Sequence, residues 1–177
     1  MIIALTGDKG AGKDTFADIL VRKHNFTKVS FADPIHEQCK SLLQLNSQLD
    51  YDNVKRTTLK WVGDGAEGVI DGRHLIREIG MLMLSYDKSQ FVNYVLQQFK
   101  SIPGNVVVSD LRFDHEMMML KSRNAIIVKI LGNVKPEDNH ITERGFDSVV
   151  CDYTINNKQQ DIDNLKSEAY NLIQTLC

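Results

Sequence analysis

Gly7-Asp8-Lys9-Gly10-Ala11-Gly12-Lys13-Asp14-Thr15 follows the apolar run Ile2-Ile3-Ala4-Leu5-Thr6 and leads into a helical pattern from Asp14 to His24. The order reads as strand, phosphate loop, helix. In the pattern G-x-x-x-x-G-K the glycines let the backbone turn tightly, so that consecutive N–H groups point at phosphate oxygens, and Lys13 adds a mobile cation. The helix that follows brings its positive N-terminal end to the same place. A glycine-rich turn without a ligand would have the same composition, but the strand before it and the helix after it favour phosphate. Where such loops usually carry Ser or Thr to ligate magnesium, this chain has Asp14, with Thr15 next.

The whole chain bounds what the loop can serve. Its 177 residues, 42% of them hydrophobic, suffice for one well-buried domain, with any second element an insertion or lid. A formal net charge of −2 gives no electrostatic case for sequence-independent nucleic-acid binding, which rests on clustered Lys and Arg. Small anionic ligands need only a local cluster. Cys39, Cys151 and Cys177 are odd in number and lack paired metal-type spacing, so a reduced intracellular compartment fits best. The first apolar stretch breaks at Gly7, too early for a signal peptide, and no run approaches the ~20 apolar residues of a membrane span. The expectation is a soluble, cytoplasmic protein.

After the first helix, Thr27 to Phe31 is β-prone, and Asp33-Pro34 starts a helix through Ile35 to Leu45, with Asp33 as its N-cap. Two strands separated by a helix form a parallel βαβ unit, which puts the phosphate loop and the Phe31-Ala32-Asp33 turn on one sheet edge. His36 then lies near an acceptor site, or is an exposed helix residue. From Asn46 to Asp71 the pattern is weak, with several glycines around Trp61, and reads as a mobile segment or substrate flap. Trp61 is a stacking platform or, more commonly, a packed side chain. Leu75, Ile76, Ile79, Leu82 and Met83 recur at helical spacing, with Arg73 and Arg77 four apart on the polar face. Those arginines form either a phosphate clamp or a solvated face paired with Glu78 and Asp87. A helix from Lys88 to Lys100 precedes Asn105-Val106-Val107-Val108-Ser109-Asp110, which reads as a central parallel strand delivering a carboxylate to the phosphate site. A capping Asp would give the same local pattern. Its place behind a phosphate loop favours the functional reading. The methionines at 117–119 read as flexible core filling on a helix. Ala125 to Leu131 is a further buried strand, followed by a polar lid-like connection, a strand over Val149 to Ile155, and an amphipathic helix from Asp161 to Leu176.

With the loop, the Asp110–Glu116 segment and the His140–Glu143 segment together, the chain resembles the phage deoxynucleoside monophosphate kinases from end to end. The family's loop reads Gly-Lys-Asp-Thr, matched by Gly12-Lys13-Asp14-Thr15, so Asp14 becomes a family mark. Its Asp-x-Arg followed by Asp-His-Glu-Met is matched by Asp110-Leu111-Arg112-Phe113-Asp114-His115-Glu116-Met117, and its His-Ile-Thr-Glu by His140-Ile141-Thr142-Glu143. Its Arg-x-Leu-x-x-x-Gly acceptor helix is similar to Arg73 through Gly80. Phe91-Val92 stands where the family has Trp-Val, which makes Phe91 a candidate for lining the acceptor base pocket. In three places the chain departs. The segment between the substrate helix and Arg73 is shorter than in the phage enzyme, which makes acceptor base choice the least transferable property. His36 replaces the Lys that the family often has after the substrate-helix Pro. Leu131-Gly132 replaces an Arg-Pro, so the lid cation would come from Lys129, Lys135 or Arg144.

The resemblance implies an α/β, three-layer P-loop kinase fold: a five-stranded parallel sheet flanked by helices, one domain over residues 1–177, a helical acceptor-binding region at about 33–100 and a short lid at about 132–147. It implies transfer of the γ-phosphoryl of ATP to a (deoxy)nucleoside 5′-monophosphate, giving the diphosphate for phage DNA precursor supply, with Mg2+ as cofactor. Lys13, Asp110, Arg112 and Arg73 would be catalytic. Asp8, Lys9, Gly10, Ala11, Gly12, Lys13, Asp14 and Thr15, with Arg144 and Asn157, would bind ATP. Asp33, His36, Arg73, Arg77, Gly80, Phe91, Asp110, Arg112, Glu116, His140 and Thr142 would bind the acceptor, and Asp14, Thr15 and Asp110 would hold magnesium, in part through water. The alternatives are a small-metabolite kinase of the dephospho-coenzyme A or phosphomevalonate type, or a non-catalytic ATP-binding regulatory module. Partners would be small nucleotides, without nucleic acid or membrane, in the cytoplasm (the host's, if the chain is phage-encoded). A homodimer is compatible with the resemblance.

Overall fold

Ile3, Ala4, Leu5 and Thr6 are fully buried, the pattern of a strand covered on both faces of a parallel sheet. The computed structural model describes residues 1–43, 52–63, 66–133 and 151–176. In chain order its elements are β1 (Ile2–Thr6), α1 (Lys13–His24), β2 (Phe26–Val29), α2 (Asp33–Leu42), β3 (Thr58–Gly63), β4 (Ala66–Asp71), α3 (Gly72–Tyr86), α4 (Gln90–Ser101), β5 (Asn105–Val108), α5 (Asp114–Lys121), β6 (Ile126–Leu131), β7 (Tyr153–Asn156) and α6 (Ile162–Leu176). All but the first two residues of the expected lid, and with them His140, Thr142 and Arg144, lie outside the described residues.

The chain divides into two compact units, residues 1–31 with 95–177, and residues 32–94. The first unit holds a five-stranded sheet in the order β2-β5-β1-β6-β7, with every neighbouring pair parallel. This is the five-stranded parallel sheet flanked by helices that the sequence implies. The chain leaves β1 toward the β2 edge and leaves β5 toward the β7 edge. The ends of these adjacent strands therefore flank the kind of crevice in which open α/β sheets bind ligands. Phe16, Ala17 and Leu20 of α1 and Leu165, Ala169 and Leu172 of α6 join Ile3, Leu5, Val128 and Ile130 in one buried cluster. Their helical spacing puts each set on one face. Each fully buried Leu, Ile or Phe contributes about 1.5–3 kcal/mol, so the cluster outweighs the small differences in helix propensity along α1. The edge strand β7 is anchored just before it starts. The Asp152 carboxylate accepts from Lys121 Nζ at 2.9 and 2.7 Å and from the Ile127 N–H at 2.7 Å.

The second unit departs from expectation. The segment read as patternless contains β3 and β4, paired antiparallel from Thr58↔Asp71 to Gly63↔Ala66, so the region at about 33–100 is not purely helical. Residues 44–51 and 64–65 lie outside the description. The alternation Thr58-Leu59-Lys60-Trp61-Val62 has the two-residue period of a strand, but Gly63, Gly65 and Gly68 dilute it. Asp33 is not the cap of α2; Ala32 holds that position without a side-chain bond, and Asp33 and Pro34 are the first helical residues. Asp33 still favours the helix by placing negative charge at its positive end. The side-chain cap lies instead on α3, where the Asp71 carboxylate accepts from the His74 N–H at 2.9 Å. Among the described residues, no helix is long and apolar enough to cross a membrane.

Candidate active site

The phosphate loop is shaped by glycines at φ +136° (Gly7), +77° (Gly10) and +100° (Gly12). At Gly7 the requirement is steric as well, since a Cβ there would lie 2.2 Å from the Ile130 carbonyl oxygen on β6. The Ala11 N–H donates to the Asp8 carbonyl at 3.1 Å, closing a turn within the loop. Lys13 Nζ donates to the Gly7 carbonyl at 2.7 Å and to the Asp8 carbonyl at 2.8 Å, so the ammonium lies over the loop's own backbone. Helix α1 opens at Gly12 without a side-chain cap, and its first turn closes with Phe16 N–H to the Gly12 carbonyl at 2.9 Å. The N–H groups of Lys13, Asp14 and Thr15 thus have no intrahelical acceptor. Donors outside the intrahelical ladder at a positive helix end, beside a lysine, suit a phosphate chain.

Asp14 is 82% exposed in its side chain and pairs with Lys28 Nζ at 3.0 Å; Asp18 lies 3.3 Å from the same ammonium. Burial pulls the Lys28 pKa down, but the bonds and charges of Asp14 and Asp18 outweigh it and hold it above the ordinary lysine value. Lys28 therefore offsets the charge that Asp14 brings to the loop. Sequence reasoning missed Lys28, because it is 14 residues from Asp14 and on a different element.

At the end of β5, the Asp110 carboxylate accepts from Ser30 Oγ at 2.7 Å and from the Phe31 N–H at 2.9 Å. Ser30 was likewise unforeseen, since it meets Asp110 across 80 residues. Arg112 follows in the same turn, held through its N–H by Glu116 Oε2 at 2.9 Å; the Phe113 N–H reaches the same oxygen at 3.0 Å. Glu116 is only 2% exposed and shapes the Asp110–Phe113 turn from inside. Burial pushes its carboxyl up to about 8, helped by the charge of Asp110 and opposed by the two N–H donors and the Arg112 guanidinium. The folded pKa exceeds the ordinary 4.5, so between these values the native state keeps a proton that the unfolded chain releases. Stability contributed below pH 4.5 is then lost as pH rises toward 8. Glu116→Gln is expected to flatten this slope, read as urea unfolding free energy across the window; an unchanged slope would place the proton elsewhere.

Asn157, at the end of β7, is buried and donates through Nδ2 to the Ala11 carbonyl at 2.9 Å. Beside it lies a cavity of about 470 Å³ lined by polar side chains that include Asn156, Asn157, Lys158, Asn164 and Glu168. Among the described residues, two buried side-chain atoms lack a hydrogen-bond partner, Thr6 Oγ1 and Asn157 Oδ1. Thr6 leads directly into the loop and Asn157 bonds to it.

In the second unit, Arg73 and Arg77 project from α3 with no ion pair between them and any acid of the described residues. The carboxylates expected as their partners are engaged elsewhere: Glu78 lies 4.0 Å from His74, and Asp87 accepts from the Ser89 N–H and hydroxyl at 2.8 and 2.7 Å. His36 Nδ1 is 3.9 Å from Asp33. Gly80 is where α3 meets α2, with its missing Cβ 2.8 Å from Ile35 Cδ1. Phe91 is 3% exposed.

Comparison with known proteins agrees with this geometry. The family model described as deoxynucleotide monophosphate kinase matches residues 81–169, half of the chain. A protein of Acanthamoeba polyphaga mimivirus that carries the provisional name deoxynucleotide monophosphate kinase is 27% identical over 155 residues, covering 81% of this chain and 80% of that one. The crystal structure of a provisionally named kinase from Chloroflexus aurantiacus J-10-fl covers 98% of this chain and 96% of its own at a TM-score of 0.50 and 12% identity, a likeness of fold. A glycine-rich loop at the head of a parallel sheet is joined by a family match over half of the chain, and the match gives the assignment: the chain belongs to the deoxynucleotide monophosphate kinase family and is a nucleotide kinase, a transferase.

Proposed function

We propose that the enzyme transfers the γ-phosphoryl of ATP to a deoxynucleoside 5′-monophosphate. The observation that carries this reading is the loop itself, whose glycines at positive φ lead into the uncapped N-terminal end of α1 with Lys13 Nζ folded over the loop carbonyls. Phosphoryl transfer needs little covalent chemistry from a protein, so positioning and charge neutralisation do the catalysis. The amides at the head of α1 hold the donor phosphates, and Lys13 moves from the Gly7 and Asp8 carbonyls to the β- and γ-oxygens. Asp110, fixed by Ser30 and Phe31, orients the acceptor. Arg112 supplies a cation for the acceptor phosphate, and Arg73 and Arg77 of the 32–94 unit supply others by family resemblance. The acceptor phosphate oxygen is already anionic, so no strong base is needed.

Among the described residues no three His, Cys, Asp or Glu side chains converge as a metal cage. The oxygens of Thr15, Asp14 and Asp110 nevertheless fit magnesium, which favours hard oxygen donors, keeps much of its water and takes few protein ligands. When bound, magnesium neutralises charge on the donor phosphates. Small nucleotides are then the partners of a cytoplasmic enzyme, and a formal net charge of −2 gives no electrostatic case for sequence-independent binding of nucleic acid.

A coupled ADP-release screen tests the reading. Deoxynucleoside monophosphates are expected to release ADP faster than ribonucleotides, dephospho-coenzyme A or phosphomevalonate. Release with the metabolites alone would move the chain to another substrate class, and ATP binding without release for any acceptor would leave a regulatory module.

A further inference from the structure

Asn157 bridges parts of the chain 146 residues apart through its Nδ2 bond to the Ala11 carbonyl, with 3% of its surface exposed. Its own N–H donates to the Leu131 carbonyl at 2.7 Å, so the end of the β6–β7 ladder fixes its backbone. The Ala11–Gly12 peptide is enclosed. A Cβ on Gly12 would lie 2.6 Å from Asn157 Nδ2 and 3.3 Å from Leu165 Cδ1, and a Cβ on Gly132 would lie 2.6 Å from Ala11 Cα. Asn157 Oδ1 is sealed from solvent and has no hydrogen-bond partner among the described residues, an unfavourable state for a buried acceptor. Turning the amide over would set that oxygen against the Ala11 carbonyl, so the bond to the loop decides its orientation. With its oxygen sealed and one of its two N–H donors committed to the Ala11 carbonyl, the polar contact that the side chain makes is with the loop.

We infer that Asn157 is a positioning residue. It holds the Ala11–Gly12 peptide, and with it the donors at the head of α1, in phosphate-binding geometry without touching the nucleotide. This rests on the donor role proposed above for the loop.

The test compares ATP with inorganic tripolyphosphate, which has the phosphates but no base or sugar, by titration calorimetry on the full chain. For Asn157→Leu, which keeps the size and removes the donor without adding charge, both affinities are expected to fall by the same factor, about tenfold. Gly132→Ala presses on Ala11, with a Cβ 2.6 Å from its Cα, while leaving Asn157 intact, and is expected to weaken both ligands equally. In the unaltered protein, NMR of the Asn157 side-chain amide is expected to show equal shifts with either ligand, which requires no variant to fold. Weakening of ATP alone, a shift with ATP alone, or no change in either variant would overturn the inference. If the unaltered protein bound neither ligand, the donor-loop reading would fall and this inference with it, a result that the control separates from failure at Asn157.

Discussion

Lys13→Ala is expected to lower kcat by at least about 10²-fold, the scale of removing one preorganised charge from a transition state. Its unfolding midpoint in urea is expected to stay near that of the unaltered enzyme. Lys13 Nζ touches two carbonyls of the loop, Gly7 and Asp8, and both are in reach of water once the ammonium is gone. The stability change should therefore stay within about 1 kcal/mol. Lys13→Arg is expected to recover little, because a bulkier planar guanidinium does not replace a compact ammonium folded over the loop. Turnover of Lys13→Ala at the unaltered rate would refute the assignment of this loop to the donor phosphates.

Gly7→Ala acts through the fold. Its φ of +136° is a conformation that L residues rarely adopt, and its new Cβ would meet the Ile130 carbonyl oxygen at 2.2 Å. That oxygen belongs to the backbone of β6, an interior strand held between β1 and β7, so relief requires β6 to move against β1. The expected loss is at least about 3 kcal/mol, adding strain to steric overlap. Against a typical total of about 5–15 kcal/mol this is a large share. Gly10→Ala is the internal comparison. Its φ is +77° and nothing lies within 4 Å of where the new methyl would sit, so only the backbone penalty of about 1–2 kcal/mol applies. Equal urea midpoints for the two variants would show that the contact with Ile130 does not constrain the loop.

The parts of the fold legible in sequence were those whose physics is local. Ile2 to Thr6 and Asn105 to Val108 are apolar throughout because parallel strands are covered on both faces, and the glycines and Lys13 carry their spacing with them. The β3–β4 pair was missed because strand alternation there is short and interrupted by glycines. Ala32, not Asp33, caps α2, since an Asp-Pro pair serves equally well in the first turn. At the site, Asp110 could be placed by its strand, whereas Ser30 on its carboxylate and Lys28 beside Asp14 are meetings between distant elements that no periodicity records. Glu116 was read as an acceptor contact through its family motif; its burial and its hold on the Arg112 and Phe113 N–H groups emerge from the turn that β5 makes into α5.

The sheet order also sets a timetable for synthesis. β1 is made first, yet its neighbours are β5, in register Ile2↔Val106, and β6, in register Ile3↔Ile126. Contacts so distant in sequence close slowly. On the ribosome this strand, buried over Ile3 to Thr6 in the finished fold, must wait for both partners, a period in which nascent chains are prone to aggregate. Gly7 cannot settle against Ile130, nor Ala11 against Asn157, until nearly the whole chain exists. Under the donor-loop proposal, tripolyphosphate affinity is expected to double as a late marker of folding, appearing only when β7 has docked.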